Sequence, residues 1–329
     1  MNPSSISRRS VIKLALGATA SGLYLGQPLA QTGAVRRVVV PVPAGGGMDN
    51  MARIFADSTK EALGVSIVDN RPGAALRIAI DFVRQANPDG MTLLFAPASP
   101  FTIYPHIYKK LSYDYRNDFT AVGGFCNFDF ALGIPANSPI NSVAEYVQAV
   151  KREPGKYSQY AVPAAGAAPH FVGSQFGNVA GLQLQHVPYR GSAPAMQDLM
   201  AGVVPAAFNL TGEFVQLAQG GRVKVLATTG SRRSQFMPNV PTFQELGFKD
   251  MVLSEWFGVF APAKTPSKTI ETLSTALESA LRTPEVIAKI QAGNYTPFIS
   301  RPAELNQRVQ QESALWGPLV KATGFTLDE

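Results

Sequence analysis

Short runs of β-branched or apolar residues alternate with amphipathic segments of helical period through most of this chain. The recurring order of strand, helix and strand predicts an α/β protein with largely parallel sheets. Strands are predicted at residues 35–42, 65–69, 91–96, 119–125, 130–134, 157–162, 184–187, 204–208, 223–228 and 256–260. Helices are predicted at 48–63, 74–85, 143–151, 169–180, 193–200, 269–282, 284–292 and 302–321.

A glycine-rich turn separates the first predicted strand from the first predicted helix. The strand ends in VVVPVP, and AGGGMD follows, so we call residues 43–49 the first turn. Glycines let the backbone bend sharply and let a ligand approach main-chain N–H groups, which at a helix start lack internal partners and carry partial positive charge. The turn is therefore a candidate anion site, and the alternative that it is only a tight connection stays open at this point.

A second strand–turn–helix passage has the same physical character. Residues 163–170, which we call the second turn, read PAAGAAPH after a short apolar strand. A helix start contributes about 0.3–1 kcal/mol to anion binding, or up to ~2 when partly buried, whereas a micromolar complex needs about −8 kcal/mol. Other groups must therefore contribute most of the binding free energy. The candidates are Ser99, Phe101, Tyr189 and Asn209. Ordinary packing in the core or in a loop is the alternative role for each of them.

The start of the chain has the layout of an export signal. No acidic residue precedes Asp49, the pair Arg8-Arg9 is followed by apolar residues and Lys13, and residues 14–25 are apolar. A segment of this length is too short for a membrane span, which needs roughly 20 residues. We therefore predict a signal of the twin-arginine type at 1–30, cleavage between Ala30 and Ala34, and a periplasmic mature protein.

Composition narrows the function classes for the mature chain. About 300 residues remain after cleavage, which suggests two domains, and loss of the basic signal lowers the formal charge from +6 to +3. No Lys/Arg run suits nucleic acid, and the single Cys126 permits neither an internal disulfide nor a cysteine metal site. Nucleotide-binding, hydrolase and zinc-protease motifs are missing from the sequence, so we expect no cofactor, no metal and no enzyme activity.

A series of short segments, in a fixed order, resembles one family. The segments are VPVPAGGGMD (40–49), DNRPGA (69–74), NPDGMTLL (87–94), YDY (113–115), DFT (118–120), HVPYRGSAP (186–194), RVKVLA (222–227), PNVPT (238–242) and WFG (256–258). Together they span almost all of the mature chain. The chain resembles the Bug family, the periplasmic solute-binding proteins of tripartite tricarboxylate transporters.

The resemblance implies a two-lobed α/β fold similar to the Venus-flytrap, type II-like periplasmic binding proteins, with two strands crossing between the lobes. Lobe 1 is expected at 35–130 plus 253–329 and lobe 2 at 131–252. The implied partners are a small carboxylate and the permease subunits of the transporter, and the protein is expected to be a monomer. The ligand contacts it implies lie in the two turns: Pro43, Ala44, Gly45, Gly46, Gly47, Met48 and Asp49 in the first, and Gly166, Ala167, Ala168 and His170 in the second.

Three positions depart from the pattern of the family, which usually has an aromatic residue at Val42 and hydroxyl residues at Met48 and Ala167. We expect these apolar replacements to disfavour a highly charged ligand such as citrate. The hypothesis is a less polar carboxylate, including aromatic acids, that rests against Val42, Met48 and Phe101. Asp49 has two open roles: it caps its own helix, or it contacts a donor group of the ligand.

Two other functions compete with transport. A sensor that presents its ligand to a membrane histidine kinase uses the same fold. A secreted hydrolase would use Gly45–Gly47 as an oxyanion hole, but the sequence offers no recognisable nucleophile with its base. His170, at a helix start, is predicted to be a packed or hydrogen-bonding residue.

Overall fold

Strands and helices alternate through residues 35–328, which are the residues that the computed structural model describes. The predicted α/β class is confirmed. The predicted export signal and its cleavage site lie outside the described residues. None of the helices in residues 35–328 combines the length and the apolar content needed to cross a lipid bilayer.

The described residues contain ten strands, fourteen α-helices and one 3₁₀-helix (Lys249–Met251). The strands are β1 (Arg36–Val40), β2 (Ser66–Asn70), β3 (Thr92–Pro97), β4 (Phe119–Pro135), β5 (Gln159–Val162), β6 (Gln185–Pro188), β7 (Ala207–Leu210), β8 (Val223–Thr228), β9 (Ser254–Pro262) and β10 (Thr296–Ser300). The helices are α1 (Gly47–Ser58), α2 (Lys60–Leu63), α3 (Arg77–Arg84), α4 (Ser99–Thr102), α5 (Tyr104–Ile107), α6 (Tyr115–Asp118), α7 (Val143–Arg152), α8 (Pro154–Tyr157), α9 (Ala168–Ala180), α10 (Ser192–Ala201), α11 (Thr211–Gln219), α12 (Ser267–Leu281), α13 (Pro284–Ala292) and α14 (Pro302–Thr323).

Parallel strands form one part of each half of the sheet. In the first half the order is β2-β1-β3, all parallel, followed by the antiparallel pairs β3–β9 and β9–β4. In the second half β6, β5 and β7 are parallel, and β4 pairs antiparallel with both β7 and β8. Because parallel strands end at the same edge, the turn after β1 lies beside the start of α4 after β3.

The long strand β4 joins the two halves. Residues 119–129 pair with β9, and residues 130–135 pair with β7 and β8. The prediction of two separate strands at 119–125 and 130–134 is wrong, because β4 is continuous. Residues 126–129, which separate the two predicted strands, belong to β4 and pair with residues 254–257 of β9. Gly123 and Gly124 within β4 are sites of close packing: a Cβ on Gly123 would lie 2.7 Å from the carbonyl oxygen of Ser300, and one on Gly124 would collide with the ring of Phe298.

The return from the second half to the first is not a continuous strand. β8 ends at Thr228 and β9 begins at Ser254, opposite Asp129. Between them, the N–H of Thr229 donates to the Phe130 carbonyl at 2.9 Å and the N–H of Leu253 donates to the Thr229 carbonyl at 3.0 Å. The implied pair of crossing strands is therefore one strand, β4, and one irregular segment. The proposed lobe boundaries at 130/131 and 252/253 stay predictions.

Buried side chains alternate between the two faces of the first half of the sheet. Val38 and Val40 belong to a core with Phe55 of α1 and Phe95, whereas Val39 points to the opposite face. Burying a side chain of this size contributes about 1.5–3 kcal/mol to stability, which explains why the period-2 pattern identified the strands. A third buried cluster, centred on Phe214, lies in the second half.

Several element boundaries differ from the predictions for local reasons. The predicted helix at 48–63 is split at Thr59, whose hydroxyl bonds the Phe55 carbonyl at 2.8 Å. The helix predicted from residue 74 begins only at Arg77, because Ala74, Ala75 and Leu76 have positive φ angles. The strand predicted at 204–208 lies at 207–210, and α11 and β10 were not predicted.

Candidate functional site

The first turn is built around a glycine in the left-handed region. Gly45 has φ +91°, a conformation that favours glycine, and Gly45 and Gly46 are exposed. Gly46 is the N-cap of α1 and offers no side-chain hydrogen bond. The N–H groups of Gly46, Gly47 and Met48 have no acceptor among residues 35–328. The turn therefore presents several main-chain donors at the positive end of a helix.

Asp49 fixes the shape of this turn. Its carboxylate is 1% exposed and accepts hydrogen bonds from the Gly45 N–H at 2.9 Å, from Arg53 at 2.9 and 3.1 Å, and from the Asn70 amide at 2.9 Å. Asn70 also donates to the Val42 carbonyl at 3.0 Å. The predicted capping role is wrong, because Asp49 bonds the loop before α1 and none of the first N–H groups of α1. A ligand contact by Asp49 stays a prediction.

The contacts of Asp49 keep it ionised. Burial alone would raise the pKa of Asp49, but the hydrogen bonds from Arg53, Gly45 and Asn70, with the charge of Arg53, outweigh burial and lower the pKa below its ordinary value. Arg53 is bound to this carboxylate in a two-pronged pair. The charge of Asp49 is thus compensated inside the turn, which leaves the N–H groups without acceptors free to attract an anion.

Tyr295 closes one side of the first turn and was missed by sequence reasoning. A Cβ on Gly47 would collide with the Tyr295 hydroxyl, so this position requires glycine. The ring is 4% exposed and packs edge-on against Phe128 and at 5.5 Å from Phe257. Tyr295 follows α13, far from Gly47 in sequence, and no local pattern links the two residues.

The second turn repeats this construction with different chemistry. Gly166 has φ +77°, Ala167 is the N-cap of α9 without a side-chain hydrogen bond, and the Gly166 N–H donates to His170 Nδ1 at 3.2 Å. In each turn a positive-φ glycine is bonded by the side chain four residues later. Pro169 has no N–H, so the second turn offers fewer main-chain donors than the first.

His170 is a neutral, buried residue. It is 2% exposed, its ring lies 3.7 Å from that of His186 between centroids, and Phe325 packs edge-on against it. Burial, with a smaller contribution from His186, lowers the pKa of His170 to about 3. The predicted role as a packed and hydrogen-bonding residue is confirmed, and a contact between His170 and the ligand stays a prediction.

The second turn is also less accessible. Gly166 is buried, and a Cβ there would lie 2.9 Å from Ile107 and 3.6 Å from Leu327 and Phe325. Ala168 is 1% exposed, whereas Ala167 is partly exposed. The two turns therefore differ in what they offer a ligand: the first is open and rich in donors, and the second is packed by the C-terminal segment.

Ser99 lies where the parallel strands predict, beside the first turn, but its hydrogen bonds are internal. Its N–H donates to Glu255 Oε1 at 2.8 Å, and its hydroxyl donates to the same oxygen. Glu255 is 6% exposed, and burial, against the bonds from Ser99, raises its pKa to about 7.

Phe101 lies in a different core from the first turn. It is 2% exposed and contacts Tyr115 and Phe260 at 4.9 and 4.6 Å between ring centroids. Val42 and Met48, both partly buried, pack on the other core cluster. Val42 and Met48 therefore pack against a core cluster that does not include Phe101.

The candidates in the second half also differ in their surroundings. The hydroxyl of Tyr189 donates to Asp198 at 2.7 Å. Asn209 is fully buried at the end of β7, where its Oδ1 accepts from the Leu210 N–H at 2.9 Å and from the Ser192 hydroxyl at 3.2 Å. Asn209 Nδ2 and the hydroxyl of Thr211 have no hydrogen-bond partner in residues 35–328.

Two other surface features lie away from this group. A groove of ≈ 650 Å³ runs along the start of α7 and residues 239–248 and contains none of the predicted site residues. His106 Nε2 lies 2.9 Å from the hydroxyl of Ser313 on the surface, and no carboxylate in residues 35–328 bonds the other ring nitrogen. That pair lacks the orienting acid of a catalytic triad.

Comparison with known proteins identifies the family. A sequence model of the tripartite tricarboxylate transporter family receptor matches residues 51–325. The protein BugT of Bordetella pertussis (strain Tohama I) is 31% identical over 293 residues, which cover 88% of this chain and 90% of BugT.

Solved structures agree with this assignment and confirm the predicted two-lobed fold of the periplasmic binding proteins. The periplasmic binding protein BugD superimposes with a TM-score of 0.81 at 30% identity, covering 89% of this chain and 98% of BugD. A protein of R. palustris solved with adipate gives a TM-score of 0.83 at 27% identity, covering 89% and 99% of the two chains. This chain belongs to the Bug family, the receptors of tripartite tricarboxylate transporters.

Proposed function

We propose that this receptor captures a small carboxylate in the periplasm and presents it to the membrane subunits of a tripartite tricarboxylate-type transporter. The observation that carries the proposal is the first turn, where the N–H groups of Gly46, Gly47 and Met48 stand at a helix start and have no acceptor within residues 35–328. Asp49 and Arg53 brace this turn and cancel each other's charge. A carboxylate oxygen matches these donors in geometry and in charge.

The ligand we propose is less polar than citrate. Val42 and Met48 supply an apolar surface beside the N–H groups, and Ala167 offers no hydroxyl from the second turn. The relative solved with adipate supports an acid with an apolar body. Phe101 is packed in a different core cluster from Val42 and Met48, so we do not include it in the proposed ligand site. Aromatic acids remain among the candidate ligands.

A thermal-shift screen tests the carboxylate. Aliphatic and aromatic acids are compared with their own primary amides, because the amide keeps the shape of each acid and removes its charge. We expect several acids to raise the melting temperature and their amides to fail, since the turn recognises charge. Stabilisation by citrate-like acids alone would contradict the less polar ligand, and equal effects of acids and amides would contradict the carboxylate.

Uptake measurements test the link to transport. Cells that lack the neighbouring permease genes should lose uptake of the acid that binds, while the purified receptor still binds it. Normal uptake in those cells, together with loss of a transcriptional response when the receptor gene is deleted, would instead indicate a ligand-presenting sensor.

A further inference from the structure

Two buried polar side chains on the second half of the sheet have unused hydrogen-bonding groups. Asn209 is fully buried and Thr211 is 4% exposed, yet Asn209 Nδ2 and Thr211 Oγ1 have no partner in residues 35–328. Buried polar groups in folded proteins are nearly always bonded, because an unbonded one keeps its desolvation cost without compensation. Two such groups within three residues call for an acceptor from outside the chain.

The orientation of the Asn209 amide is fixed by its neighbours. Its Oδ1 accepts from the Leu210 N–H at 2.9 Å and from the Ser192 hydroxyl at 3.2 Å. Since the oxygen must face these donors, the nitrogen is the unpartnered atom. Ser192 begins α10 and Thr211 begins α11, and neither helix has a side-chain cap. Two positive helix ends therefore meet at the same place as the unused donors.

A chain of contacts connects this place to the first turn. Gly212, next to Thr211, lies against Asn294, with 3.4 Å between a Cβ built on Gly212 and that of Asn294. Asn294 adjoins Tyr295, whose hydroxyl stands over Gly47. Thr211 is thus linked to the first turn through Gly212, Asn294 and Tyr295.

The charges nearby oppose a second anion at this position. Glu213 of α11 is half-buried, burial raises its pKa, and it forms no ion pair within residues 35–328. The hydrogen bonds that reach Asn209 come from a hydroxyl and a main-chain N–H, not from a cation. A second carboxylate here would lie within a few residues of Glu213 and would meet no cation bonded to Asn209 in the described residues.

We propose that Asn209 and Thr211 form a polar subsite for an uncharged oxygen acceptor, such as a hydroxyl, carbonyl or amide oxygen, at the end of the ligand remote from its carboxylate. The inference rests on the proposed function, since it takes the first turn as the carboxylate site. It narrows the ligand class to a monocarboxylate with a neutral acceptor at its far end.

Asn209 and Thr211 differ in location from the other buried side chains that have an unbonded polar atom. Ser66 Oγ on the edge strand β2 and Thr228 Oγ1 at the end of β8 also lack partners. Neither is tied to the first turn by the contacts described above. Ser66→Ala is therefore a matched control that removes an unbonded hydroxyl outside the cleft.

Calorimetric titration of the whole mature protein with matched acids tests the subsite. At each of several chain lengths the probes are the plain fatty acid, its ω-hydroxy acid, its ω-amino acid and the α,ω-dicarboxylate. We expect the ω-hydroxy acid at the best length to bind about tenfold more tightly than the plain acid, the gain of one buried hydrogen bond to a ligand. The dicarboxylate should bind more weakly than the ω-hydroxy acid.

Two variants of Thr211 assign the effect to its hydroxyl. Thr211→Val removes the hydroxyl and keeps the shape, and Thr211→Ser keeps the hydroxyl. Thr211→Val should lower the affinity for the ω-hydroxy acid much more than the affinity for the plain acid, and Thr211→Ser should retain the preference for the ω-hydroxy acid. Ser66→Ala should change neither affinity, and melting temperatures confirm that each variant is folded.

The possible outcomes separate the two proposals. If no carboxylate of any length binds the wild-type protein, the proposed function fails and the subsite fails with it. If carboxylates bind but the dicarboxylate or the ω-amino acid is preferred, or if the variants weaken all four probes equally, the subsite alone is contradicted.

Discussion

At the scale of residues, the same device shapes both turns. A glycine with positive φ donates its N–H to the side chain four residues later, Asp49 for Gly45 and His170 for Gly166. The exposed turn uses a charged partner braced by Arg53, and the buried turn uses a neutral imidazole. Both side chains are buried, so the difference lies in the counter-ion: Arg53 compensates the charge of Asp49, and a buried charge without such a partner is costly.

The first prediction concerns Asp49. Asp49→Asn leaves Arg53 without its counter-ion and turns an amide NH₂ group towards N–H donors that now bond the carboxylate. We therefore expect a loss of about 1–3 kcal/mol in the free energy of unfolding and weaker ligand binding. Urea unfolding and calorimetry measure both. The low pKa of Asp49 stabilises the folded protein above pH ~4, and this contribution is lost as the pH falls through the folded pKa.

The gap in stability between wild type and Asp49→Asn should therefore narrow below pH ~4. A gap that stays constant from neutral to acidic pH would contradict the role given to the carboxylate.

The second prediction concerns His170. Its pKa is about 3 in the folded protein and is ordinarily about 6.5, so the unfolded chain binds a proton that the folded protein does not. Between these values each pH unit of acidification should cost about 1.4 kcal/mol of stability. His170→Gln keeps an acceptor for the Gly166 N–H and does not titrate, so its unfolding free energy should depend less on pH over this range. Identical pH profiles would contradict a buried neutral histidine.

At the scale of elements, the start of α1 depends on the loop between α13 and β10. The third prediction follows from the contact of Tyr295 with Gly47. Gly47→Ala should displace the tyrosine and weaken carboxylate binding at least severalfold. Tyr295→Phe removes the obstructing hydroxyl and should partly rescue Gly47→Ala.

Gly46→Ala is the matched control for this cycle. A Cβ on Gly46 meets nothing within 4 Å, and its φ of −83° suits any residue. Calorimetry should find its affinity close to that of wild type. Equal damage from both alanines, with no rescue by Tyr295→Phe, would show that the Tyr295 contact does not position the turn.

Local sequence patterns predict an element well where residues within the element itself determine its limits. β8 and α13 have the predicted limits. The run of apolar residues defines β8, and Pro284 at the start and Gly293 at the end define α13. The continuity of β4 was not predictable, since residues 126–129 are held in the sheet by pairing with β9 and β10, two strands from far along the chain.

The same distinction holds for the candidate site. The two turns were identified from glycines, prolines and helix starts, which are local signals. The roles of Asp49 and Tyr295 depend on partners from other elements, as does the burial of Phe101 in the opposite core. Thr211 was overlooked because α11 itself was not predicted.

At the scale of the whole molecule, the C-terminal segment connects the second turn to the first half of the sheet. Phe325 packs against His170 and Phe171, and Leu327 forms a β-bridge with Tyr108. Lys109 and Asp328 form an exposed ion pair beside this bridge. The segment thus touches both predicted lobes, so any opening of the cleft must accommodate it.

The fourth prediction tests this connection. Phe325→Ala should loosen the second turn and increase amide hydrogen exchange at residues 166–170, because their packing partner is removed. Thr326→Ala, at the neighbouring exposed position, is the control and should leave exchange unchanged. Unchanged exchange in Phe325→Ala would mean that the C-terminal segment does not support the second turn.

The most direct test of the central claim is to observe the main-chain donors of the first turn while a carboxylate binds. In ¹⁵N-labelled mature protein, titration with the acid that gives the largest thermal shift should move the amide proton signals of Gly46, Gly47 and Met48 downfield, as new hydrogen bonds to an anion require. The corresponding amide compound should leave them in place. Saturable binding of the acid with no change in these three signals would contradict the claim that the first turn holds the carboxylate.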